Sequence, residues 1–70
     1  MLLDLIDRMS DVELMGELRG IAGRADERGE DGTATQASEL FTVFYACRLR
    51  AQVPAWLWEA TRTFVRQHAG

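Results

Sequence analysis

The segment from residue 35 to residue 52 is predicted to be a helix with two apolar stripes, and this feature constrains the fold more than any other. At about 100° per residue, one stripe contains the side chains that we expect to face the core: Leu40, Phe44, Cys47 and Ala51, with Val43 at its edge. The second stripe lies on a different side of the helix and consists of Phe41, Tyr45 and Leu49. A surface helix usually has one such stripe, so the second must be covered by another part of the chain, a second copy or a partner protein.

The size of the chain bears on what could cover the second stripe. With 70 residues we expect one complete small domain over residues 1–70, whose single core leaves little apolar area to offset chain entropy. Small domains recover this deficit with disulfides, metals or oligomerisation. Cys47 is the only cysteine and His68 the only histidine, which excludes an internal disulfide and a metal cage of several Cys or His ligands. Oligomerisation and unusually dense helix packing are the sources of stability that remain.

Periodicity and capping signals predict an all-α, single-domain bundle of three longer helices plus a short N-terminal helix, at about 2–9, 11–28, 35–52 and 54–68. Ser10 followed by Glu13 is a capping-box pattern that begins the second helix. Gly29 is placed to be its left-handed cap. Residues 29–34 have turn composition and predict a loop, after which Thr33 or Thr35 caps the long helix.

The break between the last two helices is predicted from Pro54, which lacks an N–H and suits the first position of a new helix. The apolar stripe expected for helix 54–68 contains Leu57, Ala60, Thr61, Phe64 and His68. The stripe expected for helix 11–28 contains Leu14, Met15, Leu18, Ile21, Ala22 and Ala25.

Three glycines lie opposite the apolar stripe of helix 11–28: Gly16, Gly20 and Gly23. Each costs about 1 kcal/mol relative to alanine in a helix interior. They indicate either a smooth groove that another backbone approaches closely, or a helix that ends early or kinks at Gly20 or Gly23. We favour the break.

Charge is unevenly spread along the chain. Residues 1–46 carry ten acids against four arginines, whereas residues 47–70 carry four arginines against one glutamate. The asymmetry suits either antiparallel self-association or attraction of a protein partner, and it equally suits an ordinary solvated surface.

The N-terminus lacks the basic region of a signal peptide. The longest uncharged apolar run, residues 40–47, contains one threonine and is too short to span a membrane. With a single free cysteine, the cytoplasm is the expected compartment.

No residue pattern indicates catalysis. His68 lies two residues from the end of the chain, and Cys47 lies within an apolar stripe, so neither is expected to belong to a pre-organised site. The acids of the Gly-Glu-Asp-Gly stretch at 29–32 disfavour phosphate binding. We therefore predict no enzyme activity, no cofactor and no metal.

Nucleic-acid binding is the main alternative. A helix-turn-helix-like regulator would contact DNA through Arg48, Arg50, Arg62 and Arg66 around the break at Pro54. The net charge of −3 opposes attraction to phosphates, and Trp56 and Trp58 occupy positions where polar base-reading side chains are wanted.

The sequence instead favours a small module that binds another protein as a regulator, adaptor or inhibitor and forms a homodimer. Chains of this size without reactive groups are often encoded by phages or mobile elements. Trp56 and Trp58 point about 160° apart on a helix, so one is expected to face the bundle and the other to anchor a partner, with Arg62 stacked on Trp58. The predicted partner interface contains Phe41, Tyr45, Leu49, Trp56 and Trp58.

Overall fold

Four helices make up the part of the chain that the structure, a computed structural model, describes: the backbone of residues 2–68 and the side chains of residues 5–68. They are α1 (Leu2–Asp7), α2 (Asp11–Glu27), α3 (Asp31–Leu49) and α4 (Ala55–His68). No strand occurs in these residues, so the predicted all-α bundle is confirmed.

The helices α2 and α3 form an antiparallel hairpin with the largest helix–helix contact of the fold, and α4 packs back on α2 and α1. The main apolar cluster joins all four helices through Ile6, Leu14, Leu18, Ile21, Ala37, Phe64 and Val65. A second cluster, Met15, Phe44 and Leu57, joins α2, α3 and α4. The stripe predicted for α2 is confirmed, with Ala22 half-buried and its other members buried.

Both predicted caps of α2 are present. The Ser10 hydroxyl accepts a hydrogen bond from the Glu13 backbone N–H at 3.3 Å, and the Glu13 carboxylate accepts one from the Ser10 N–H at 3.4 Å. At the other end Gly29 has φ +73°, and the Glu30 N–H donates to the Ala25 carbonyl at 2.8 Å. This is the Schellman geometry that only glycine adopts without steric cost.

The prediction of a loop at 29–34 is wrong, because α3 begins at Asp31 with Glu30 as its N-cap. Thr33 and Thr35 therefore lie inside the helix and do not cap it. The Schellman turn reverses the chain within three residues, so no longer loop is needed. Thr33 lies in the first turn of α3, where the backbone N–H groups have no intrahelical partner and a residue with low helix propensity is tolerated. Asp31 in that turn also complements the positive end of the helix dipole.

The end of α3 is earlier than predicted, at Leu49. Ala51 has φ +54°, its N–H donates to the Arg48 carbonyl at 2.9 Å, and the Gln52 N–H donates to the Cys47 carbonyl at 3.0 Å. This is again a Schellman turn, with alanine at the left-handed position. Ala51 is exposed, so its predicted place in the core stripe is wrong, whereas Phe44 is buried and Leu40 and Cys47 are half-buried.

Ala51→Gly is expected to raise the free energy of unfolding by about 0.5–1 kcal/mol, because a left-handed conformation costs a residue with a Cβ more than glycine loses in unfolded-state entropy. Urea titration followed by circular dichroism measures the change. Ala46→Gly, an exposed position inside α3, is the control and should lower stability by about 1 kcal/mol. Equal losses at both positions would contradict the assignment.

The glycines do not break α2, so the favoured prediction of a break or kink is wrong. The helix is continuous from Asp11 to Glu27. A Cβ built on Gly16 or on Gly23 meets no atom within 4 Å, which shows that their face of α2 is open. Packing of five buried residues on the opposite face outweighs the glycine penalty.

The last helix begins one residue later than predicted, after Pro54. The Pro54 carbonyl accepts hydrogen bonds from the N–H groups of Leu57 and Trp58, at 3.0 and 3.2 Å, and so starts the helix. Ala60 and His68 are exposed, contrary to the predicted stripe, while Val65 takes their place in the core. The first helix is also shorter than the predicted 2–9, because α1 ends at Asp7 and residue 8 forms a turn.

Candidate protein-interaction surface

The longest helix, α3, is the one least covered by the rest of the chain. Only Ala37 and Phe44 are buried among its 19 residues, compared with five in the 17 residues of α2 and four in the 14 residues of α4. Its apolar side chains on both sides of Phe44 are left half-buried or exposed. The width of the apolar surface noted in the sequence is therefore real in the folded monomer.

The second stripe of α3 borders solvent. Phe41 is half-buried and stacks on Tyr45 with ring centroids 6.2 Å apart and planes 4° from parallel. Tyr45 is 43% exposed and Leu49 67% exposed. Two of the three predicted interface residues on this helix thus offer large apolar area to a partner.

A groove runs between α2 and α3 beside this stripe, formed by two adjoining depressions of about 250 and 280 Å³ that share Arg19 and Phe41. We call it the α2–α3 groove. Its remaining lining residues are Val12, Met15, Gly16, Leu18, Ala22, Ala37, Ser38, Thr42 and Tyr45. Arg19 is the one charged residue that lines it. Because Gly16 has no Cβ, the wall formed by α2 is smooth at the Tyr45 end.

The two tryptophans lie in different environments. Trp58 is half-buried and meets Phe44 edge-on, with centroids 5.0 Å apart and an interplanar angle of 89°. The Arg62 guanidinium carbon lies 5.0 Å from the centroid of the Trp58 ring, in the stacked arrangement that the sequence suggested. Trp56 is 66% exposed and lines a separate depression with Val43 between α3 and α4.

The five predicted interface residues therefore do not share one surface. Phe41 and Tyr45 share the α2–α3 groove, whereas Leu49 is exposed and lines neither of its depressions. Trp56 lies on the other side of α3, and Trp58 supports the core. The sequence reasoning missed Val12, which is 56% exposed and lines the same groove as Tyr45. An apolar residue on the glycine-bearing face of α2 was the available signal for it.

Much of the basic charge near the C-terminus is matched by acidic side chains within the fold. Arg48 at the end of α3 is bonded to Asp11 at the start of α2, and Arg66 is bonded to Asp7. The hydrogen bond from Arg48, together with the Val12 N–H, holds the pKa of the Asp11 carboxyl below its ordinary value. Arg62 lies near Glu59 at 3.7 Å as well as over Trp58, and Arg50 is exposed. Acidic partners beside these arginines lower the positive potential that a phosphate backbone would encounter.

The side chains considered for catalysis are not brought together. Cys47 is half-buried in α3, and His68 is exposed against Phe64 with ring centroids 4.4 Å apart. Across residues 5–68, no group of three or more His, Cys, Asp or Glu side chains is placed to hold a metal ion. Over the same described chain, no helix has both the length and the apolar character needed to cross a bilayer.

Compared with known proteins, the chain matches no family model, no curated protein sequence and no solved structure.

Proposed function

We propose that this chain is a non-enzymatic module that binds another protein along the α2–α3 groove, as a regulator, adaptor or inhibitor, and that it works as a homodimer in the cytoplasm. The observation that carries the proposal is the exposed apolar wall of the groove. Val12 and Tyr45 line the groove beside Gly16 and each expose more than two fifths of their surface. Leu49, one helical turn beyond Tyr45 on the same stripe, is 67% exposed. Contiguous exposed apolar patches, especially ones with a polar rim, mark protein-interaction sites.

The shape and charge of the groove favour a helical segment of the partner. The helices α2 and α3 lie side by side and leave a channel between them. An amphipathic helix can lay its apolar face into such a channel, with anchor residues at i, i+3 or i+4, and i+7. Arg19 lies in the middle of this otherwise uncharged channel. An acidic side chain beside the apolar anchors would pair with its guanidinium, which gives the complex its register.

Tyr45→Arg is expected to abolish partner binding without unfolding the chain, because it places a charge on the apolar wall at an exposed position. Affinity capture from a lysate of the native host, with the wild-type chain, Tyr45→Arg and Thr63→Arg as baits, measures this. Thr63 is exposed on α4 and lines neither the groove nor the depression at Trp56, so it controls for added charge. The proposal predicts a protein recovered by the wild-type and Thr63→Arg baits and lost with Tyr45→Arg. Equal recovery by all three, or by none, would contradict it.

Titration with random duplex DNA at low salt separates this proposal from the nucleic-acid alternative. We expect no salt-sensitive binding, since acidic side chains lie against Arg48 and Arg66. Salt-sensitive binding that disappears in Arg62→Ala/Arg66→Ala would instead favour the DNA-binding function.

A further inference from the structure

A row of exposed residues runs along the side of α3 opposite the one that packs on α2. It consists of Glu39, Val43 and Ala46 in α3 and Arg50 at its C-cap, spaced four, three and four residues apart, and we call it the outer seam. This spacing keeps side chains on one side of a helix over three turns and is the spacing of a helix–helix contact. All four residues are exposed, and Val43 is 45% exposed.

The stretch of α3 between the two ends of the seam differs from an ordinary solvated helix face in its lack of charge. Glu39 is the one charged residue among residues 32–47, whereas α2, with 17 residues, carries seven charged residues. Beside the seam, Thr35, Ser38 and Thr42 border a shallow, mostly apolar depression on the surface of α3. Small side chains at such positions allow a second helix to approach closely.

The two charges at the ends of the seam are opposite in sign. Glu39 lies about 16 Å from Arg50 along the helix axis, which is too far for the two to pair within one chain. Among the side chains that the structure describes, neither residue belongs to an ion pair. An antiparallel copy of the same helix reverses this order and places each charge opposite its complement.

We propose that two copies of the chain associate through their outer seams, with the two α3 helices antiparallel about a twofold axis, so that Glu39 of each copy pairs with Arg50 of the other. This inference rests on the proposed homodimer and specifies its contact. The twofold operation makes the contact self-complementary: residue i meets residue j on both sides of the axis. In the register that joins Glu39 to Arg50, the larger Val43 lies opposite the smaller Ala46, which suits close packing.

The depression between α3 and α4 extends this contact. Glu39, Val43 and Trp56 line it together. An arginine that reaches Glu39 from a second copy therefore lies beside the exposed indole, where aromatic and charge-assisted contacts reinforce each other. The seam thus accounts for the exposure of Trp56 and Val43, which the α2–α3 groove does not.

Sedimentation equilibrium of Glu39→Arg, Arg50→Glu, the double variant and an equimolar mixture of the two single variants tests the pairing. The wild-type chain is expected to have twice its 7.9 kDa mass at micromolar concentration. Each single charge reversal should weaken the dimer about tenfold or more, because it replaces two attractive pairs with two repulsive ones. The double variant and the mixture should both return to within about threefold of the wild-type dissociation constant, because both restore two opposite-charge pairs.

Glu27→Arg, an exposed charge reversal near the end of α2, is the matched control and should leave the dimer unchanged. Helical circular dichroism verifies that each variant is folded. A wild-type chain that stays monomeric would overturn both the seam and the proposed homodimer, while leaving the capture experiment on Tyr45 as an independent test of partner binding. A dimer that ignores the single reversals, or that the double variant does not restore, would overturn the seam alone.

Discussion

Phe44→Ala is expected to lower the free energy of unfolding by about 3–5 kcal/mol, which is enough to unfold much of a 70-residue domain. Phe44 has no exposed surface, meets Trp58 edge-on, and belongs with Met15 and Leu57 to the cluster that joins three helices. Truncation removes its transfer free energy and leaves a cavity where α3, α2 and α4 meet. Chemical denaturation followed by tryptophan fluorescence measures both the loss of stability and the change around Trp58.

Tyr45→Ala is the matched control for this prediction. It removes an aromatic ring from the adjacent position of the same helix, but from a side chain that is 43% exposed. Its cost should stay below about 1 kcal/mol, since surface substitutions away from special features are usually small. Similar losses for the two variants would mean that the two stripes of α3 are equally covered, and the argument for an interaction surface would fail with that result.

The contrast between these neighbours shows how far the sequence could be interpreted. The stripe containing Phe44 was recognised from its period, because burial against other helices requires apolar residues at helical spacing. Periodicity also predicted α2, and the capping signals predicted the capping box at Ser10 and the left-handed cap at Gly29, since each of these depends on interactions within a few residues. For the same reason the sequence could predict the stacking of Arg62 on Trp58, because the two residues lie one helical turn apart.

Features that depend on tertiary packing could not be predicted in the same way. The early start of α3 depends on how tightly the turn at Gly29 reverses the chain. The polar composition of residues 29–34 is equally typical of a loop, so it did not indicate this early start. Which tryptophan faces the bundle depends on the side on which α4 meets α3, and both assignments satisfied the helical period. The open face at Gly16 depends on which helices do not cover α2, a property that no local pattern encodes.

The glycines of α2 link stability to the proposed function. Gly16→Ala and Gly23→Ala are each expected to raise the free energy of unfolding by about 1 kcal/mol, and the double variant by about 2 kcal/mol. Neither new methyl group meets an atom within 4 Å, so the gain in helix propensity is not offset by a clash. Thermal denaturation should show an increase of about 4–8 °C per kcal/mol. Gly29→Ala, at φ +73°, controls for the sign and should be destabilising.

The same two substitutions should differ in binding, because Gly16 lines the α2–α3 groove near Tyr45 and Gly23 lines neither of its depressions. Gly16→Ala narrows the channel available to a partner helix, so we expect weaker capture of the partner by a more stable protein. Gly23→Ala should give a similar gain in stability with unchanged capture. A gain in stability with a loss of binding at Gly16, and a gain in stability alone at Gly23, would show that the glycine at position 16 exchanges helix stability for space in the groove. If both variants capture the partner as well as the wild type does, the smooth wall at Gly16 has no role in docking, and the groove must bind through its α3 side alone.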